Sequence, residues 1–184
     1  MSDATNLIDT ISFTNIYTSL ISVEQLVTGT AYLIGISFAV KALYSLKALG
    51  EAKSHHSANS TVKDPLIYMF VAGMFIYFPT GFQVLMNSTF GYSQVLAYTP
   101  VTTGGTAMMA LFGTTSDFGA TLALFIQVIG VIAFVRGWVL VARAASTGQP
   151  PGGTGQGLMH VFGGILAMNI IGTLQVINAT LFGV

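Results

Sequence analysis

Four stretches of the chain are apolar almost without interruption: Leu26–Leu46, Leu66–Met86, Phe118–Leu140 and Leu158–Phe182. The first contains one charge, Lys41, and the third contains one, Arg136; the second and fourth contain none. At 1.5 Å per residue, about 20 apolar residues cross a hydrocarbon layer of about 30 Å. The pattern therefore predicts four transmembrane helices, with Pro79 kinking the second. Phe13, Ile16, Tyr17 and Leu20 fall at helical spacings ahead of the first stretch, and Ser12, Asn15, Ser19 and Ser22 repeat that spacing on another face. This predicts an amphipathic helix lying on the membrane surface, starting after Ile11.

The connections differ in character. Ser146–Gly157 is rich in Gly, Pro, Ser and Thr and reads as a flexible linker. The segment between the second and third spans holds Phe90, Tyr92, Leu96, Tyr98, Met108 and Phe112 among Gly and Thr. A solvated loop does not spend so many large apolar groups, so these should enter the membrane interface or pack on a partner. The predicted organisation is a surface segment over 1–25, a first hairpin over 26–86, an outer connection over 87–117 and a second hairpin over 118–184. In fold class this is an all-α, polytopic membrane protein.

Composition agrees with that pattern. Of 184 residues, 53% are hydrophobic and 7% charged, where a soluble domain is about one-quarter charged. Six bases and six acids cannot cover a globular surface, and the mean hydropathy is +0.75. No basic stripe offers a nucleic-acid site. The six bases are Lys41, Lys47, Lys53, Lys63, Arg136 and Arg143, and all fall on one side of the four-span arrangement. That side is cytoplasmic by the positive-inside rule, which puts both termini outside. The N-terminus lacks the basic start and short apolar run of a signal peptide.

Aligning Leu66–Tyr92 with Leu158–Val184 at an offset of 92 gives six identities in 27 positions, among them Phe70/Phe162, Gln83/Gln175 and Gly91/Gly183. In the first and third spans, Gly35 precedes Lys41 by six residues and Gly130 precedes Arg136 by six. Either the chain is a tandem duplication of one hairpin, or two hairpins resemble each other because both obey the same charge rule.

The polar residues form no catalytic set: there is no nucleophile elbow, HExxH sequence, phosphate loop or intramembrane pair of acids. His55-His56 lacks further ligands for a metal, so neither metal nor cofactor is expected. Lys41 and Arg136 lie near the inner ends of their spans, where long side chains reach lipid phosphates, and are read as interfacial anchors. Gly35, Gly130, Gly163, Gly164 and Gly172 are read as helix-packing positions and Asn169 as an interhelical hydrogen-bonding residue. On a straight helix Gly164 and Gly172 lie about 80° apart, and Asn169 about 140° from Gly164. The two glycines should then share a face, with Asn169 addressing another neighbour.

Residues Gly155–Leu174 read GQGLMHVFGGILAMNIIGTL. A Gly-rich inner loop leading into a helix with FGG, a central Asn and a further Gly resembles the last helix of the IcmC/DotE (TraQ-like) family, small inner-membrane proteins of type IVB secretion and conjugation systems. Chain length and the predicted four spans are similar too. The resemblance implies a non-enzymatic structural or channel-associated subunit, placed in a bacterial inner membrane with periplasmic termini. Its partners would be membrane lipids and other subunits of the complex, with self-association open. The alternative from the residues alone is a small homo-oligomeric channel or transporter.

Overall fold

In the computed structural model the described residues are 2–54, 62–102, 104–113, 116–144 and 153–183, without the side chains of 2–14, 17, 24, 53, 107, 116 and 117. His55 and His56 lie outside them, as does most of the predicted linker. The described residues form seven helices and no strand: α1 (Ser2–Ser54), α2 (Lys63–Ile76), α3 (Phe78–Phe90), α4 (Thr106–Phe112), α5 (Ser116–Ala144), α6 (Gly153–Met168) and α7 (Ile170–Phe182). Within α1 and α5, Thr18–Ala52 and Phe118–Ala144 are each long and apolar enough to cross a membrane. The chain is thus an all-helical membrane protein.

Three expectations about helix ends need correction. First, α1 does not stop between a surface helix and a span; it is one helix of 53 residues that begins at Ser2, ahead of Ile11. No Gly or Pro precedes Gly29, and the hydroxyls of Ser19 and Ser22 donate to the carbonyls of Asn15 and Thr18, which keeps them on the helix instead of capping a new one.

Second, the apolar stretches 66–86 and 158–182 are not straight. Helix α3 leaves α2 at 94°, and α7 leaves α6 at 91°. With 14 and 13 residues in α2 and α3, neither limb alone spans about 30 Å at 1.5 Å per residue. Pro79 accounts for the first bend: it brings no N–H, and in a continuous helix its ring would strike the carbonyl of Phe75. The chain turns at Tyr77 (φ −100°, ψ 36°) and Pro79 sits in the first turn of α3. The second bend, at Asn169 (φ −109°, ψ 54°), has no proline. Third, α6 begins at Gly153, so the last residues of the predicted linker are helical.

The two bent pairs correspond position by position. Tyr77 and Asn169 are 92 residues apart, as are the first and last residues of α3 and α7. Each second limb ends at a left-handed glycine, Gly91 (φ 79°) and Gly183 (φ 70°), the C-terminal cap that a Cβ would strain. The long helices obey the same relation. A Cβ built on Gly35 would meet Phe75 Cβ at 2.8 Å and Ile76 N at 3.1 Å, while one on Gly130 would meet Met168 N at 2.6 Å and Ala167 C at 3.0 Å. Phe75-Ile76 and Ala167-Met168 are equivalent at the offset of 92. So α1 rests on α2 as α5 rests on α6.

The closest of these contacts joins α5 to α6, the most extensive pairing in the chain. Gly130 meets Gly164, and Gly137 meets Gly157, each with backbone against backbone. A Cβ on Gly164 would come within 2.7 Å of Phe134 N, and one on Gly157 within 2.8 Å of the Gly137 carbonyl. These pairs lie seven residues apart on both helices, so they are two turns of one antiparallel seam. Gly163 faces away, with nothing within 4 Å of an added Cβ; it takes no part in packing inside the chain. Val131, Phe134, Trp138 and Val141 of α5 complete the main core with Tyr68, Val71 and Phe75 of α2 and Val161, Ile165 and Met168 of α6.

Gly164→Leu should force α5 and α6 apart at the cost of overpacking a core, about 1–3 kcal/mol or more, and lower the melting temperature in detergent. Gly163→Leu should melt within a degree or two of the parent. Equal loss from both would show that the seam does not hold these helices.

Candidate functional site

The second bend holds the most deeply buried polar side chain among the described residues, Asn169. Asn169 is fully buried. Its backbone stays helical on both sides: its N–H donates to the Ile165 carbonyl at 3.1 Å, and its carbonyl accepts from Thr173 N–H at 2.9 Å. The Thr173 hydroxyl donates across the bend to the Leu166 carbonyl at 2.7 Å, satisfying a group that the broken ladder would leave without a partner. The Asn169 side chain is committed to the outer connection. Its Nδ2 donates to the Tyr92 hydroxyl at 2.8 Å, and its Oδ1 accepts the Leu96 backbone N–H at 3.2 Å. Asparagine leaves helical geometry readily because its amide can replace backbone partners, which gives this bend a cause without proline.

Gly172 belongs to the same node. A Cβ there would strike the Tyr92 hydroxyl and the Asn169 amide. The expectation that Gly172 shares a face with Gly164 therefore fails. Helical-wheel angles hold only along one axis, and the axis turns by 91° between them. Gly164 faces α5; Gly172 and Asn169 together face the outer connection.

That connection packs on its own chain. Leu96, Tyr98, Val101 and Met108 lie against Phe112, Ala123, Ile171 and Leu174. The Phe112 carbonyl accepts two bonds, from the Tyr98 hydroxyl at 2.7 Å and from Val101 N–H at 3.0 Å. Burial pushes the Tyr98 phenol above its ordinary value of 10.0, so it remains a donor through the neutral range. A Cβ on Gly104 would strike the Asn178 side chain, and one on Gly105 would meet the Phe182 ring at 3.2 Å. Leu96, Tyr98, Val101 and Met108 are thus accounted for by α5 and α7, Phe90 and Tyr92 pack against the main core, and Val95 and Leu111 stay exposed.

Two cavities flank the node. One of about 210 Å³ is bordered by Thr28, Phe78, Phe82, Gln127, Val131 and Met168. The other, about 280 Å³, lies between Leu96–Tyr98 and α5 and also reaches Gln127. A third hollow, about 540 Å³, occupies the bend between α2 and α3 and is lined by Phe70, Gly73, Met74, Tyr77, Val84 and Trp138. Among the described residues no three His, Asp or Glu side chains come together as a metal site would require.

The basic residues sit apart from this node. Lys41 Nζ lies 4.4 Å from the centre of the Tyr68 ring, a cation–π contact of about 0.5–1 kcal/mol in an exposed setting. Arg136 is exposed on α5. At that depth Trp138 packs edge-on against Phe70 and Phe134, with ring centroids at 5.6 and 6.2 Å, yet its buried Nε1 has no hydrogen-bond partner. Of the glycines expected to pack, Gly35, Gly130 and Gly164 face the backbone of another helix, Gly163 faces none and Gly172 faces Tyr92 and Asn169; the partners Tyr92 and Leu96 and the part played by Gly157 were not anticipated. The equivalence of Asn169 with Tyr77, two residues before Pro79, is the signal in the sequence for the second bend. Compared with protein-family models, curated proteins and solved structures, the chain has no match, so the site is read from its own residues.

Asn169→Leu should strand both the Tyr92 hydroxyl and the Leu96 N–H, costing about 1–3 kcal/mol, whereas Tyr92→Phe removes one neutral bond, about 0.5–1.5 kcal/mol. Limited proteolysis of the 91–101 segment should accelerate more in the first variant, and the double variant should resemble Asn169→Leu, because the two changes share a bond. Trp138→Phe keeps the aromatic contacts and deletes an unpaired buried donor. Its melting temperature should equal or exceed that of the parent.

Proposed function

We propose that the chain is a non-enzymatic, multi-pass inner-membrane subunit of a type IVB secretion or conjugation complex, of the IcmC/DotE (TraQ-like) kind. The observation that carries this reading is the use of Asn169. Among the described residues, the most deeply buried polar side chain is consumed by tying the connection over 87–117 to a bend, which is work for a scaffold. The chemistry of Gly155–Leu174 supports it as well: the Gly-rich start, Gly164 and Asn169 of the resemblance are the positions that set the α5–α6 seam and the second bend. In this reading each bent pair is one broken span. The arrangement then has four crossings in two hairpins, with the bases inside, both termini in the periplasm, and lipids and other subunits as partners.

The cavity beside Thr28 and Gln127 favours one other reading, a small homo-oligomeric channel or transporter. Gln127→Leu separates the two. A scaffold tolerates it, whereas a polar pathway loses conductance or uptake.

Reporter fusions at His56 and Gly152 should read cytoplasmic, and fusions at Gly104 and the C-terminus periplasmic; a cytoplasmic signal at Gly104 would overturn the four-crossing arrangement. A tagged chain should bring other subunits of the machine out of gently solubilised membranes. Its deletion should abolish export of effectors or transfer of DNA, and a Gln127→Leu chain should restore it to within about twofold of the parent. A chain that purifies alone and is dispensable for export would refute the proposal.

A further inference from the structure

One face of α5 is hollowed where it meets the connection that follows α3. Ala120, Ala123, Leu124 and Gln127 border the cavity of about 280 Å³, and Gln127 and Val131 border the one of about 210 Å³. Counted from Ala120 these positions are three, four, seven and eleven residues on, the spacing of a single helix face. The two cavities meet at Gln127 and Val95, which border both. At 1.5 Å per residue, the stretch from Ala120 to Val131 runs about 16 Å, half of a hydrocarbon layer of about 30 Å. It ends level with Gly130, on which Met168 rests. Beyond that level Phe134 packs edge-on against Phe78 and Phe82, with ring centroids at 5.7 and 6.3 Å, and the hollow stops.

The polar groups along this hollow are left open. The Gln127 amide has two donors and an acceptor and no hydrogen-bond partner among the described residues. The Thr28 hydroxyl, across the smaller cavity, has none either, whereas Thr30 and Ser37 on the same helix donate back to the carbonyls of Leu26 and Leu33. Lipid offers such groups nothing, and an amide withheld from both water and protein is costly. A roomy cavity with polar groups takes up water, while a purely apolar one stays dry. None of the described residues bordering the two cavities is charged, so the lining suits a neutral ligand and not an ion. We infer that the two cavities are one blind aqueous vestibule, entered beside the connection between α3 and α4 and ending level with the second bend, with Gln127 holding its water where the lobes meet. A vestibule that ends halfway conducts nothing, so it is compatible with a scaffold; only the naming of its mouth as periplasmic rests on the orientation proposed above.

The sequence contains no cysteine, so single introduced thiols report without background. A charged, membrane-impermeant trimethylammonium-ethyl methanethiosulfonate, applied separately to each face of native membranes, is the probe. It reacts with the thiolate, which forms in water and not in lipid, so Gln127→Cys should label at least about tenfold faster than Ile129→Cys, and Thr28→Cys than Thr30→Cys. Each control lies two residues from its partner on an exposed face of the same helix. Thr102→Cys, exposed in the connection, marks the side: the membrane face that admits the reagent to it should admit the reagent to Gln127→Cys. If that face is cytoplasmic for both, the orientation of the chain is wrong and the vestibule stands. A Gln127→Cys chain that inserts and labels no faster than Ile129→Cys has a dry cavity and overturns the inference, as does access only from the face opposite to Thr102→Cys. If Gln127→Cys fails to insert, Thr28→Cys, a nearly isosteric change, decides by the same comparison with Thr30→Cys.

Discussion

Lipid gives two apolar helices no reason to associate, because the tails are as apolar as the side chains. What remains is close approach, and close approach needs positions without side chains. The α5–α6 seam meets that condition. Gly130 with Gly164 and Gly137 with Gly157 bring the backbones together, and the larger residues around them, Phe134, Val161 and Ile165, fill the space to either side. The seam also holds Met168 against Gly130, one residue before the chain turns at Asn169, so the second bend starts from a fixed point.

A bend breaks the ladder of backbone hydrogen bonds, and the two bent pairs meet this differently. In the first, proline removes a donor and the chain turns at Tyr77 with Gly73 and Gly81 on either side. In the second, an amide and a hydroxyl do the work: Asn169 binds Tyr92 and Leu96, and Thr173 reaches back to Leu166. The same shape is thus reached by one steric device and by one hydrogen-bonding device. The solution in the second half also recruits the segment between the halves, so the outer connection belongs to the second half more than to the first.

Much of this was legible in the residues. Long apolar blocks report helices because nothing else is stable in lipid, and Pro79 reports a bend because its chemistry forbids continuation. The packing roles of Gly35, Gly130 and Gly164 could be read from their size, since small residues let apolar helices approach closely. Three features could not. The continuity of α1 depends on the absence of any residue that stops a helix, and a polar stripe at Ser12–Ser22 argues only for a face, never for an end. Gly163 and Gly164 are indistinguishable by type, and only the rotation of α6 against α5 selects the second. Gly172 was misplaced because angular arithmetic presumes one axis.

Helix α1 carries a mechanical consequence. Its 53 residues extend about 80 Å, of which a membrane occupies about 30 Å. Most of the remainder lies on the N-terminal side, a stiff arm whose tip at Ser2 is about 50 Å from Gly35, where the helix rests on Phe75 and Ile76. A change in tilt of about 20°, within the range that membrane helices adopt, would carry a point 50 Å from the fulcrum sideways by roughly 17 Å. Small rearrangements of the packed helices within the bilayer are thereby converted into displacements on the scale of a protein domain outside it.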